Sequence, residues 1–401
     1  MKPIRAPLAL LLFAGVGAGQ DLAVRGAIVH TASGQPIEDG VVIVRSGKIA
    51  AVGPASSTPV PSGLRLLEAR VVTPGLVDAH CALGLAGSLN YAHDRDELER
   101  SDPIQPELRA IDAYNAREPL IAWARGLGVT TIHTGHAPGA VVSGQTMVVK
   151  TRGDEVAGNV LVPFAMVAAT LGEGAVAEDE GKSPGNPAKA VALLRSELVR
   201  ARGYLEKKKG SEPPDPDLGL EALGAVLSRE VPLLVTVQQL HDVQAALRLA
   251  QEFELRLVLD GACEVYDLLD EVKRAGVAVI LHPTMLRAWQ ETKNASFETA
   301  AKLKAAGIPF AIQSGYESYV PRTRIVLFEA AQAAAHGLAF EDALRSITID
   351  AAKILGVDSR VGSLEPGKDG DLALYDGDPF EYTSHCVGVV IDGVVVSETP
   401  R

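Results

Sequence analysis

The sequence predicts an α/β chain: a (β/α)8 barrel of the TIM type joined to a small β-sandwich that the two ends of the chain build together. Three observations lead to this reading. Short Val- and Ile-rich runs broken by Gly and Ser fill both ends, the pattern of antiparallel strands. Between them, apolar runs alternate with amphipathic stretches, which implies parallel strands joined by helical crossovers. The chain, at 401 residues with 47% hydrophobic and 22% charged residues, is globular in composition and too long for one small core.

In chain order, Lys2 and Arg5 precede the apolar run Ala6 to Val16, and small residues follow at Gly17, Ala18 and Gly19. That is the order of an export signal. A run of about 11 apolar residues is too short to cross a bilayer about 30 Å thick, so no membrane span is expected. Residues 1–19 therefore read as a signal peptide, and the mature chain as periplasmic or secreted. Residues 20–73 form the first part of the sandwich, with a hairpin expected at Ser46-Gly47. Residues 358–401 form the second part, with Asp392-Gly393 a strong two-residue turn.

Residues 74–357 are assigned to the barrel. Its strands are expected at Val129–Ile132, Leu233–Val237, Leu255–Leu259, Val277–Leu281 and Pro309–Ile312. One helix places Leu194, Leu198, Ala201 and Leu205 on a single face. Another is expected to start at Asp242 as its N-cap. The stretch "APGAVVSGQ" and the long polar run after the first barrel strand read as loops over the barrel mouth.

Charge and cysteine usage narrow the function classes. A net charge of -12 argues against a nucleic-acid surface. Three cysteines, Cys81, Cys263 and Cys386, do not make a disulfide framework. "EGKSPG" lacks the first glycine of a phosphate loop, since Val176 stands in its place, and no Gly-x-Ser-x-Gly elbow occurs.

"VVTPGLVDAH" at residues 71–80 resembles the motif that opens the barrel of metal-dependent amidohydrolases. "GSLEPGKDGDLALYDGDP" resembles that superfamily's return strands, and "AGIPFAIQSG" its last barrel strand. Overall the chain is similar to the branch holding imidazolonepropionases and prolidase-like proteins. The resemblance implies hydrolysis of a non-peptide C–N bond, in an amide or cyclic amide, with Zn²⁺ or another divalent ion activating water. It also implies a small-molecule substrate and leaves a homodimer open.

The same resemblance locates the metal ligands, and most are replaced. His80 is retained, but its partner position holds Ala82. The later positions hold Thr236 and Gln238, Gly261 and, where an aspartate is expected, Gly315. Two readings stay open. In one, a rebuilt site recruits His133, His136 and His282 beside His80 as metal ligands, because each follows a barrel strand. In the other, the chain is a pseudoenzyme whose pocket binds a small polar ligand. For either, Gln145, Gln238, Tyr316, Glu317 and Arg322 are the candidate ligand-binding side chains.

Overall fold

The computed structural model describes residues 21–89, 91–177, 182–285, 287–317 and 322–401, so the signal segment 1–19 lies outside the described residues. Strands from the two ends of the chain hydrogen-bond as one seven-stranded sheet. β1 (Leu22–Val29), β2 (Ile37–Arg45), β3 (Lys48–Pro54) and β4 (Arg65–Pro74) come from the first end. Their alternation buries Leu22, Val24, Val42 and Val44 on one face. Ser46 and Gly47 both take positive φ, +48° and +80°, the mirror-image turn whose twist matches the strands it joins.

The central strands follow in order. β5 (Leu76–Cys81), β6 (Val129–Thr134), β7 (Val142–Gln145), β8 (Met147–Lys150) and β9 (Val160–Val162) form its first half. β10 (Val167–Thr170), β11 (Leu233–Val237), β12 (Leu257–Gly261), β13 (Ala278–Leu281) and β14 (Phe310–Ile312) form the second. They make a six-stranded sheet, β14-β13-β12-β11-β10-β7, and a four-stranded sheet, β5-β6-β8-β9. β10 to β14 are parallel, each to the next. A parallel bridge between Cys81 and Gly315 ties β5 to the chain just beyond β14.

Residues 142–145, at the end of "APGAVVSGQ", differ from the expectation of a loop. They form β7, antiparallel to β10, and β8 follows, antiparallel to β6. Only Thr146 separates β7 from β8, so the chain that leaves β6 returns along β10 and then beside β6 in the opposite direction. The last strands, β15 (Leu372–Tyr375), β16 (Cys386–Ile391) and β17 (Val394–Ser397), return to the first sheet, with β15 antiparallel to β4. Asp392 and Gly393, at φ +50° and +71°, close the β16–β17 turn.

Helices cover the central strands. The longest, Pro187–Lys208, is capped by the Asn186 side chain and buries Leu194, Leu198 and Ala201. The helix expected to begin at Asp242 instead spans Leu240–Phe253, with Gln239 at the cap and Asp242 in the first turn. There the Asp242 carboxylate faces the positive end of the helix dipole rather than capping it.

Two internal features position the site. An apolar cluster takes Leu234, Val258, Ile280 and Ala311 from β11 to β14. Buried Lys150, at the end of β8, reaches Asp369 at 2.7 Å, Asp371 at 2.9 Å and Asp392 at 2.5 Å. Burial opposes the charge of Lys150, but Asp371, Asp392 and Asp369 outweigh it and raise its pKa. This knot fastens the central strands to the outer sheet.

Candidate functional site

Side chains two apart on a strand point the same way. Two residues beyond Leu234, Val258, Ile280 and Ala311 stand Thr236, Asp260, His282 and Gln313. All four polar residues line a cavity of about 60 Å³. His80 from β5, His136 just after β6, Gln238 and Tyr316 line it as well. The floor is thus apolar and the next layer polar, at the C-terminal ends of the strands.

At its centre is a buried pair. His80 Nδ1 lies 3.0 Å from Asp260 Oδ1. Asp260 also accepts from Thr236 Oγ1 at 2.6 Å and Gln313 Nε2 at 2.8 Å. Burial alone would favour neutral His80, but the charge and hydrogen bond of Asp260, with Asp78 behind, raise its pKa above the ordinary value. Burial likewise works against ionised Asp260, yet the His80 charge and the three donors hold its pKa low. Both shifts favour the imidazolium–carboxylate form of the pair, in which both oxygens of Asp260 are engaged. Nearby, Asp78 accepts from the Ser314 amide at 3.0 Å, while burial lifts its pKa to about 6.

The other histidines divide sharply. His133 is fully buried, and both nitrogens are committed: Nδ1 to the Ala79 carbonyl at 2.6 Å and Nε2 to Thr146 Oγ1 at 2.7 Å. A carbonyl only accepts, so Nδ1 carries the proton and the threonine hydroxyl donates to Nε2. Burial pushes its pKa down to about 3. His133 therefore packs the strand interior and cannot serve as the metal ligand expected of it. His136 lines the cavity, is 6% exposed, and leaves both ring nitrogens without a hydrogen bond. The Leu108 carbonyl approaches its ring without closing a well-formed bond. Burial pushes His136 to about 4, so it too is neutral. His282 also lines the cavity, with Nδ1 unpartnered and its pKa lowered by burial.

The residues do not fit a resident divalent ion. Among the described residues no three His, Cys, Asp or Glu side chains converge as a ligand set. Gly261 and Gly315 both sit at positive φ, +74° and +70°. A side chain begun at Gly261 would meet Gln238 Nε2 at 2.5 Å, and one at Gly315 would meet His282 at 2.6 Å. Gln238 and His282 thus occupy the space that ligands from those positions would need, and Ala82 supplies no donor.

Of the expected ligand-binding side chains, Gln238 and Tyr316 line the cavity. Gln145 is turned to the Pro106 carbonyl at 3.0 Å and is not in the lining. Glu317 holds Arg324 at 2.8 Å and Arg287 at 3.2 Å. Arg322 donates to the Tyr316 hydroxyl at 3.0 Å, and that hydroxyl donates to Glu97 at 3.1 Å. Glu317 and Arg322 therefore brace the rim rather than the lining. The three cysteines are buried and free. Asp260 and Gln313 were not among the expected site residues. Their signal was a lone polar residue at the end of an apolar strand, in "LVLDG" and "FAIQS".

Comparison with known proteins agrees with this architecture. Residues 236–397 match the model of the amidohydrolase family. The chain is 27% identical over 371 residues to an imidazolonepropionase of Rhizorhabdus wittichii, covering 85% of this chain and 88% of that one. It is 26% identical over 437 residues to amidohydrolase tasK of Hapsidospora irregularis, covering 96% of this chain but only 44% of that protein. Among solved structures, an amidohydrolase from Thermotoga maritima MSB8 matches with a TM-score of 0.86 at 28% identity, over 94% of this chain and 100% of that one.

Proposed function

We propose that this chain, which belongs to the amidohydrolase superfamily, takes a small molecule with a non-peptide C–N bond into the strand-end cavity and acts on it without a resident metal. We read the two central sheets as one (β/α)8 barrel, closed at Cys81–Gly315 and around Thr146, with residues 20–73 and 358–401 as its companion β-sandwich. The observation that carries the proposal is the buried His80–Asp260 ion pair, set among polar groups where the superfamily otherwise gathers metal ligands.

In this reading His80 is the acid. Held by Asp260 through Nδ1, it offers the Nε2 proton to the leaving nitrogen of an amide or cyclic amide. Water supplies the oxygen that bonds to the carbonyl carbon as the C–N bond breaks. Neutral His136 or His282 accepts the proton that water gives up. A second reading, ligand binding without turnover, is favoured by one observation. Asp260 has no free oxygen, and burial makes both neutral histidines weak bases. Residues 1–19 support export of the mature chain.

The deciding experiment pairs metal analysis with turnover. Protein stripped with a chelator, and the same protein dialysed against Zn²⁺, is assayed on a panel of small amides and lactams. The proposal expects well under one bound ion per chain and equal turnover in both samples, lost in His80→Ala. Turnover that appears only with Zn²⁺ sinks it. No turnover, with saturable ligand stabilisation, selects the binding-only reading.

A further inference from the structure

Outside the cavity lining, four carboxylates gather where the chain runs on from β10 to β13: Glu173, Asp242, Glu264 and Glu291. We propose that two of them, Asp242 and Glu291, form a proton-operated latch that fastens residues 287–294 against the neighbouring strand ends in mild acid and loosens them above it. The latch works whether or not the cavity is catalytic.

Residues 287–294 follow β13 and reach the ends of the other three strands. Glu291 Oε1 accepts from the Glu173 amide at 2.8 Å, beyond β10. Asn294 Nδ2 donates to Glu264 at 2.6 Å, beyond β12, and the Tyr266 hydroxyl donates to the Asn294 carbonyl at 2.8 Å. The Cys263 thiol lies 3.8 Å from the Thr292 carbonyl. At the start of the segment, Arg287 is tied to Glu317 and Glu329. None of residues 287–294 is buried, so these polar contacts rather than a core hold them in place.

Asp242, beyond β11, faces the segment unpaired. It stands in the first turn of the helix Leu240–Phe253, is 3% exposed, and its Oδ2 has no hydrogen-bond partner. A Cβ on Gly172 would sit 2.4 Å from this oxygen and 2.9 Å from Glu291 Oε1, so the two carboxylates face each other across the space of one methyl group. Both ionised, they repel one another in a poorly solvated place. A proton held by either one supplies the hydrogen bond that Asp242 lacks.

The surroundings set the direction of the response. Burial raises the pKa of Asp242, with Glu173 and Glu264 adding to the effect and His241, 3.5 Å away, opposing it. The positive end of the helix also favours ionised Asp242 and tempers the rise. Burial raises Glu291 too, against the Glu173 and Gly174 amides, with Asp242 and Glu173 adding to it. An acid whose pKa is raised in the fastened state binds its proton more tightly there. The fastening is therefore present below the raised value and lost as pH climbs through it.

Hydrogen exchange read by mass spectrometry on the full chain, at pH 5 and pH 7.5, measures how firmly residues 287–294 are held once rates are divided by the intrinsic rate at each pH. Their protection should be at least about threefold greater at pH 5, while peptides from β11 and β12 change little. Asp242→Asn removes the charge and supplies a permanent donor, so its segment should be as protected at pH 7.5 as at pH 5. His241→Gln and Glu264→Gln should leave the response in place. Equal protection at both pH values in the unaltered chain overturns the latch. So does a response that persists in Asp242→Asn, or one that disappears in His241→Gln or Glu264→Gln. The comparison within the unaltered chain does not depend on how any variant folds.

Discussion

Asp260→Asn should uncouple the charge of His80 from its position. The substitution keeps size and shape, removes the negative charge and turns one accepting oxygen into an NH2 group, from which the Thr236 hydroxyl can accept. The same interior supplies its own reference: His133 lies at about 3 and His136 at about 4, and neither is bonded to a carboxylate. His80, bonded to Asp260, instead titrates above the ordinary 6.5. With the carboxylate charge gone, burial dominates, so His80 in the variant should titrate below the ordinary value. Removing one partner of a buried pair costs about 3–5 kcal/mol, the loss expected of Asp260→Asn at pH 7. Proton NMR of the imidazole Cε1–H resonances across pH 4–9 reads the titration directly. Stability should change sign as well. In the parent, the raised pKa of His80 adds stability that is present below 6.5 and lost as pH climbs through the folded value. In the variant, His80 is buried neutral, and stability is lost as pH falls below 6.5. If His80 still titrates at or above 6.5 in Asp260→Asn, the pairing argued here does not hold its charge.

Three further outcomes follow from the same contacts. The stability of His136→Phe relative to the parent should grow as pH falls from 6.5 to about 4, because only the parent's unfolded state gains a proton there; the full gain is about 3 kcal/mol, read by urea unfolding at pH 7, 6 and 5. A gap independent of pH would mean that His136 is already charged in the folded chain. His133→Phe should behave oppositely, losing about 1–3 kcal/mol at pH 7, since it strands the Ala79 carbonyl and removes the Thr146 contact; a neutral effect would show that the two bonds carry nothing. Lys150→Met should cost about 3–5 kcal/mol, because three aspartates lose their common buried counter-ion, and a loss under about 1 kcal/mol by the same unfolding measurement would show that solvent reaches the knot.

Much of this was legible from local chemistry. Ser46-Gly47 and Asp392-Gly393 announce their turns because few residue pairs tolerate positive φ at both positions. His80 stands out by its motif, and His136 and His282 by the Gly and Pro loops beside them. His133, at the strand end and without such a loop beside it, could be read equally as pocket lining or as strand packing. What decides between the two is Thr146, which sits between two antiparallel strands that the surrounding βα rhythm did not suggest. Asp260 was passed over because the family pattern points one residue further on, to Gly261. Its importance depends on His80, a residue 180 positions away. Contacts of that range are set by how strands assemble, which local periodicity does not encode.

The seven-stranded sheet carries a consequence for how the chain is made. β4 pairs with β1 on one side and with β15 on the other, so residues 75–371 must be synthesised between one partner and the next. Until then the outer edge of β4, including Val71 and Val72, offers open amides and apolar side chains to any passing strand. A ribosome stalled before residue 372, or a protease that clips the chain there, would release a nearly finished molecule with an adhesive seam. Such fragments should be drawn into aggregates or held by chaperones rather than accumulate as soluble monomers, whatever the condition of the cavity.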